Sequence, residues 1–192
     1  MKHLRVFSIV FLVLVGIFSI TGCRFFKRSG LGTSPDGTKA TAFCPIDGSP
    51  TTPTAVNHRP IAVMIENSPK ARPQSGLTQA CVVYEAITEG GITRFLAIFL
   101  HGNPPVIGPV RSSRPHFINL EREYNAAYVH CGQSYEALQI LATDPTIYNL
   151  DQMIYAKPFW RDHSRKAPHN LYTSMEKLRK QEAKLRWDAP VN

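Results

Sequence analysis

Three arginines stand where packing alone gives them no reason to be. Arg94 lies inside the apolar stretch 93–100 (TRFLAIFL), beside Gly90-Gly91, and Arg111 and Arg114 flank Ser112 and Ser113 in residues 107–115 (IGPVRSSRP). The second stretch reads as a strand-to-helix junction, where free backbone N–H groups, the positive end of a helix dipole and guanidinium forks combine into an anion site. Ser112 and Ser113 add hydroxyl donors. Two carboxylates fall at strand ends nearby: Glu66 closes residues 61–66 (IAVMIE) and Glu89 precedes the glycine pair. Such a pair serves as acid and base, or holds a cation. It equally serves, with Glu85, to neutralise the arginines in structural ion pairs. A second cluster, residues 159–172 (FWRDHSRKAPHNLY), is dense in donors and aromatics and reads as one loop. His169 is the best general acid or base in the chain by residue type, and Asp162 is available to orient it. The alternative for this loop is a sugar- or peptide-binding surface without chemistry. The candidates are therefore Glu66, Glu89, Asp162 and His169 for proton transfer, and Arg94, Arg111, Ser112, Arg114, Arg165 and Asn170 for holding a ligand. GxGxxG, GxxxxGK[ST], HExxH and GxSxG are all absent, so no cofactor is expected.

The elements that must position these residues are partly readable. The apolar run 61–65 predicts a central strand, and Pro69, Pro73 and Gly76 mark 67–76 as a loop. Residues 82–88 (VVYEAIT) and 93–100 predict two strands joined by a tight turn at Gly90-Gly91. Residues 106–110 are strand-like but broken by Gly108 and Pro109. Residues 115–124 predict a helix with Pro at its first position and Phe117, Leu120 and Tyr124 on one face. A further strand is expected at 126–130, and Ser134 caps a helix running to about Leu141. Residues 173–176 (TSME) read as a capping box opening a last helix to about Leu185, with Glu176 and Lys180 one turn apart. Strands and helices mix, so the fold class is α/β or α+β, a mixed sheet with flanking helices. Residues 187–192 resemble the start of a fresh strand, which points to a truncated chain.

Charge narrows the function classes. The chain of 192 residues carries 22 basic and 14 acidic side chains, a net of +8. Five of the basic residues (Lys2, Arg5, Arg24, Lys27, Arg28) lie in residues 1–28, which contain no acid, so the remainder holds 17 against 14, a net of +3. A nucleic-acid partner is therefore not expected. Lys2 and Arg5 precede the apolar run 6–20, the layout of a secretory signal peptide, and the run is short for a spanning helix. Residues 20–23 (ITGC) resemble the lipobox of bacterial lipoproteins, in which the cysteine is acylated and becomes the first residue after cleavage. The alternative is an uncleaved anchor with an incidental cysteine. Under the lipobox reading Cys23 is the lipidation site, two or three acyl chains anchor the protein stably, and Arg24, Lys27 and Arg28 meet anionic head groups for about 1 kcal/mol each. The chain then divides into a signal peptide at 1–22, a lipidated cysteine and flexible tether at 23–58, and a globular domain at 59–192. Cys44, Cys81 and Cys131 are odd in number and lack CxxC spacing, so no metal site is expected; any one pair could oxidise. Cys81 reads as a small buried hydrophobe, and Cys131 beside His130 raises a thiol nucleophile only weakly, because neighbours in a strand face opposite ways.

Residues 59–67 (RPIAVMIEN), 71–77 (ARPQSGL), 84–86 (YEA), 89–95 (EGGITRF), 107–114 and 159–174 together resemble the YerB-type lipoproteins, a bacterial domain-of-unknown-function family. The resemblance spans about 45–186. It implies a lipid-anchored protein on the extracytoplasmic face of the cell membrane, supplies no activity, and implies a further C-terminal domain. The chain departs from the family pattern at Cys44, Cys81 and Cys131, which places any thiol role in doubt. The order of a strand, an arginine in a second strand, the PVRSSR junction and then residues 125–128 (NAAY) is also similar in layout to LytR-CpsA-Psr wall-polymer transferases, without their acidic-arginine motifs. Three functions are expected on these grounds. The first is a lipoprotein binding a cell-envelope component, peptidoglycan or an anionic wall polymer, through the arginines and the 159–172 loop. The second is an envelope enzyme acting on peptidoglycan or a lipid-linked glycan phosphate. The third is an interaction module of a membrane complex.

Overall fold

A run such as IAVMIE has apolar residues at both odd and even positions, so it is satisfied only by a strand covered on both faces. The computed structural model, which describes residues 32–34 and 37–190, places it so. In chain order the elements are β1 (Ala42–Phe43), β2 (Pro50–Thr51), α1 (Pro53–Val56), β3 (Ile61–Glu66), β4 (Val82–Ile87), β5 (Thr93–Phe99), α2 (Pro115–Arg122), β6 (Ala127–His130), α3 (Tyr135–Thr143), β7 (Tyr148–Asp151), β8 (Phe159–Arg161), β9 (Leu171–Thr173) and α4 (Met175–Leu185). The expected signal segment, Cys23, Arg24, Lys27 and Arg28 lie outside the described residues.

The central sheet has five strands in the order β4-β5-β3-β6-β7. β5 pairs antiparallel with both β3 and β4, whereas β6 pairs parallel with β3 and with β7, so the fold is α+β with a mixed sheet. Along β3 every residue is buried, while β4 at the edge alternates half-buried and exposed. Ile61, Val63 and Ile65 face one layer, packed with Phe99, Val129 and Leu150 under Met175 and Leu178 of α4 and under Phe159 and Leu171 of β8 and β9. Ala62 and Met64 face the other, with Leu96, Ile98 and Tyr128 under Phe117 and Ile118 of α2 and Ala137 of α3. Each fully buried Val, Leu, Ile, Phe or Met among them contributes about 1.5–3 kcal/mol by leaving water.

β6 meets only Ile61–Val63 of β3. The far half of β3 is completed by the broken stretch after β5, where Glu66 N–H donates to Pro109 O (2.9 Å), Arg111 N–H donates to Met64 O (3.0 Å) and Ile65 bridges Val110. Residues 106–110 are thus a patch of single bridges, to Ile65, Ser75 and Thr173, rather than a strand of their own. Two of the three helices that pack on the sheet start with hydroxyl caps: Ser134 of α3 accepts from Ala137 N–H (3.3 Å) and Ser174 of α4 from Lys177 N–H (3.3 Å), whereas Arg114 before α2 makes no side-chain cap bond. The last cap sits one residue later than a TSME capping box requires, because Thr173 is taken by β9 and its hydroxyl donates to Pro158 O (2.9 Å).

Three further expectations need correction. The tether does not run to residue 58: β1 and β2 pair, α1 comes next with Thr52 as its cap, and Ala40, Cys44 and Thr51 are buried. Polar, Pro-rich composition concealed a short hairpin whose few apolar side chains find cover on the domain. Residues 159–172 are not one loop either, since β8 and β9 pair antiparallel and leave only 162–170 as their connection. Among the described residues no strand begins at Trp187. Arg186 ends α4 with a left-handed cap, and the Trp187 ring packs edge-on against Tyr148 and Tyr155.

Candidate functional site

The site forms at the carboxyl ends of the parallel strands β3 and β6, where α/β sheets present diverging loops. Glu66 is the last residue of β3, and the register of the sheet sets Arg94 of β5 directly beside it. Arg111 and Arg114 arrive on the stretch that completes β3 and then turns into α2, with Arg114 as the helix cap residue and Pro115 first in the helix. His169 comes from the 162–170 connection, and its Nδ1 lies 2.9 Å from Glu66 Oε1, which also accepts from Ser68 Oγ at 2.8 Å. Glu66 Oε2 is buried with no hydrogen-bond partner among the described residues, and Arg111 Nε stands 3.7 Å from it.

The arginines differ sharply in how far they are committed. Arg114 grips Glu89 with both Nε and an Nη, the latter at 2.8 Å from Oε2. Arg94, almost wholly buried, donates to Ser112 O (2.8 Å) and reaches Glu89 Oε2 at 3.4 Å. Burial first, and then the charge of Arg114, lower the Arg94 pKa to about 10. The hydrogen bond from Arg114 is the main reason that Glu89 is held down at about 2. His116, on the first turn of α2, is lowered by burial and by the fields of Arg114 and Arg94. Arg111 is the exception: its side chain is 30% exposed, makes no hydrogen bond among the described residues, and has only the longer contact to Glu66. Three guanidiniums against two carboxylates leave this corner cationic.

Other expected site residues serve the scaffold. Arg165 donates to Ala71 O (3.0 Å), Arg72 O (3.0 Å), Pro73 O (3.3 Å) and Tyr172 Oη (2.8 Å), and so fastens the loop after β3 to β9. Asn170 locks its own connection, donating to Asp162 O and Arg165 O and accepting from Arg161. Asp162 does not orient His169, whose carboxylate partner is Glu66; instead Asp162 Oδ1 accepts from Ser164 N–H and Oγ, closing a tight turn. Ser112 contributes its carbonyl, and Ser113 Oγ is buried as the acceptor of Tyr128 Oη–H (2.7 Å). His130 is wholly buried between Gly132 O and Asn149 Oδ1, and burial raises the pKa of Cys131, so this pair offers no activated thiol.

Sequence reasoning passed over the residues that brace Glu66. Asn67 donates to Glu85 Oε1 (2.9 Å) and Thr93 Oγ1 (2.8 Å) and accepts from Arg72 (3.1 Å) and Gln74 (2.7 Å), tying the loop after β3 to β4 and β5. The signal available was the polar pair Asn67-Ser68 placed directly after a buried strand. A second missed group brings Cys44 and Cys81 to 3.9 Å between sulfurs, next to Asp47 and His101.

Fold and site together define an α+β domain with an arginine–carboxylate cluster on the carboxyl edge of a mixed sheet. Residues 47–188 match the family described as "Protein of unknown function (DUF3048) N-terminal domain", and the chain belongs to that family. It is similar to the protein named "Putative lipoprotein YerB" of Bacillus subtilis (strain 168), 43% identical over 136 residues that make up 71% of this chain and 41% of the relative. It also matches the crystal structure of the YerB protein from Bacillus subtilis with a TM-score of 0.74 and 38% identity, over 79% of this chain and 53% of that one. The chain thus spans about two fifths of the curated relative and about half of the crystallised one. The family likeness drawn from the sequence blocks and the α+β fold are both confirmed.

Proposed function

We propose that the chain is a lipoprotein anchored through Cys23 to the extracytoplasmic face of the cell membrane, and that it binds an anionic envelope component, a wall polymer or a lipid-linked pyrophosphate, at the edge formed by Arg94, Arg111 and Arg114. The observation that carries the binding reading is the state of Arg111: a guanidinium with unused donors, aimed along a corner where Arg94 and Arg114 are already held by Glu89 and by backbone carbonyls. Charge-assisted bonds from such a fork contribute about 1.5–3 kcal/mol each to phosphate recognition. The lipoprotein reading is supported by the basic n-region, the apolar run and the ITGC sequence, and by the name of the Bacillus relative.

A second reading rests on the Glu66–His169 contact. With Nδ1 committed to the carboxylate, Nε2 is left for proton transfer, as an enzyme acting on peptidoglycan or a lipid-linked glycan phosphate would require. The test uses the full chain in detergent, titrated with geranylgeranyl pyrophosphate and with geranylgeraniol. The pyrophosphate is expected to bind at least 10-fold more tightly; equal binding of the two defeats the anion reading, and release of phosphate in the same mixture favours the enzyme. Cys23→Ser is expected to release the protein from the membrane fraction, and full retention contradicts the anchor.

A further inference from the structure

Away from the arginine edge, four ligating side chains converge from segments far apart in sequence. Cys44 and Asp47 belong to the turn that joins β1 to β2, where Gly48 N–H donates to Cys44 O (2.9 Å). Cys81 immediately precedes β4, and its N–H is fixed to Ile98 O of β5 (2.8 Å). His101 comes shortly after β5. The two sulfurs are 3.9 Å apart, Asp47 Oδ2 is 3.0 Å from His101 Nε2, and one ligand atom from each residue lies within 4.8 Å of all the others. The geometry points to a metal site that takes a zinc-class dication through Cys44, Cys81, Asp47 and His101, and that staples the β1–β2 hairpin to the edge of the sheet.

Distances and donor types both support this. In tetrahedral zinc, bonds of about 2.3 Å to sulfur and about 2.0–2.1 Å to nitrogen and oxygen put two sulfurs about 3.8 Å apart and a nitrogen and an oxygen about 3.3 Å apart. The observed 3.9 and 3.0 Å differ from those edges by no more than small side-chain shifts. A disulfide would account for the two sulfurs, but not for a carboxylate and an imidazole meeting at the same point. His101 is not otherwise committed: its Nδ1 is buried without a partner among the described residues, and its side chain is only 8% exposed. Thiolate, imidazole and carboxylate in a closed set of four is the donor pattern of structural zinc. Asp47 is also held by its own turn, where Oδ1 accepts from Ser49 N–H (2.9 Å), leaving Oδ2 facing His101. A cleft lined by Asp47, Gln79, Ala80, His101 and Gly102 opens beside the cluster and gives the ion a way in.

The benefit is local. β1 and β2 pair with each other over two residues each, and a metal bridging residue 44 to residues 81 and 101 ties so short a hairpin to the sheet edge. The test is a Co²⁺ titration of the full chain, purified in detergent under reducing conditions. One equivalent is expected to produce the intense visible bands of tetrahedral Co²⁺ with a thiolate charge-transfer band, and one equivalent of Zn²⁺ is expected to abolish them. Cys44→Ser, Cys81→Ser and the milder Asp47→Asn should weaken Co²⁺ binding on the order of 10–100-fold or more, while Cys131→Ser leaves it intact. Weak pink octahedral cobalt, or affinity unchanged in Asp47→Asn and Cys44→Ser, overturns the site. So does a metal-free Cys44–Cys81 disulfide found by non-reducing peptide mass spectrometry in protein taken directly from membranes.

Discussion

Replacing Glu66 with Gln removes one negative charge from the arginine edge while keeping the size of the side chain, and its effect on anion binding has a counterintuitive sign. Glu66 Oε2 lies 3.7 Å from Arg111 Nε. At that separation the attraction is roughly 1 kcal/mol in water's dielectric and about 4–5 kcal/mol at an effective dielectric of about 20. Glu66 is 6% exposed and Arg111 30%, so the pair falls between those limits. An incoming phosphate has to compete with the carboxylate for the same guanidinium. If about 1–2 kcal/mol of the attraction passes to the ligand, Glu66→Gln tightens pyrophosphate binding roughly 5–30-fold. The glutamine carbonyl still accepts from Ser68, so Tm is expected to stay within a few degrees. Isothermal titration calorimetry of the full chain with inorganic pyrophosphate measures this, at two salt concentrations to expose the Coulombic part. Unchanged or weaker binding refutes the competition between Glu66 and the anion. Loss of turnover with binding intact moves Glu66 into the proton-transfer reading.

The remaining predictions separate scaffold from site. Arg165→Ala removes hydrogen bonds to Ala71, Arg72, Pro73 and Tyr172 and is expected to cost about 2–4 kcal/mol, a Tm fall of roughly 5–12 °C by calorimetry; an unshifted Tm would show that the loop after β3 holds without it. Glu121 is 2% exposed, and burial raises its pKa from 4.5 to about 8. Linkage sets the sign: the raised group favours the fold below 4.5 and loses that contribution as pH rises toward 8. Glu121→Gln should therefore stabilise by about 1–3 kcal/mol at pH 8.5 and by little at pH 4.5, and a gain independent of pH would contradict the burial argument. Gly102→Ala places a Cβ 2.1 Å from Gln79 O and is expected to cost about 1–3 kcal/mol in chemical denaturation, whereas a neutral result would mean that the corner relaxes freely.

The parts of the fold legible in the sequence are those whose information is local. β3, β4, β5 and β6 declare themselves as short apolar runs bounded by turn residues, α2 by its apolar face and α3 by its serine cap, and the Gly90-Gly91 turn fixes the antiparallel pair. β7 (YNLD), β8 (FWR) and β9 (LYT) are too short to carry a period, and exist because neighbours pair with them. The gathering of Arg94, Arg111 and Arg114 with Glu66 and Glu89 was readable from strand ends and a helix start. The partner of His169 was not. Sequence proximity suggested Asp162, but the spacing Asp162-His163-Ser164 is that of a side-chain-closed turn, and Glu66, 103 positions away, comes into reach only once β9 is in place. Likewise Cys44 and Cys81, 37 positions apart, share no motif and meet only because the hairpin before β3 folds back on the sheet edge.

On the proposed function it is Arg111, and not its better-committed neighbours, that receives the anion. The most direct measurement is the set of arginine Nε–H signals in a nitrogen-15 NMR spectrum of the full chain as pyrophosphate is added. Arg111 is expected to show the largest and saturable shift, Arg94 and Arg114 smaller ones, and Arg165, fixed on three carbonyls and a tyrosine, none. A saturable shift centred on Arg165, or no shift at Arg111 at saturating ligand, would contradict the claim.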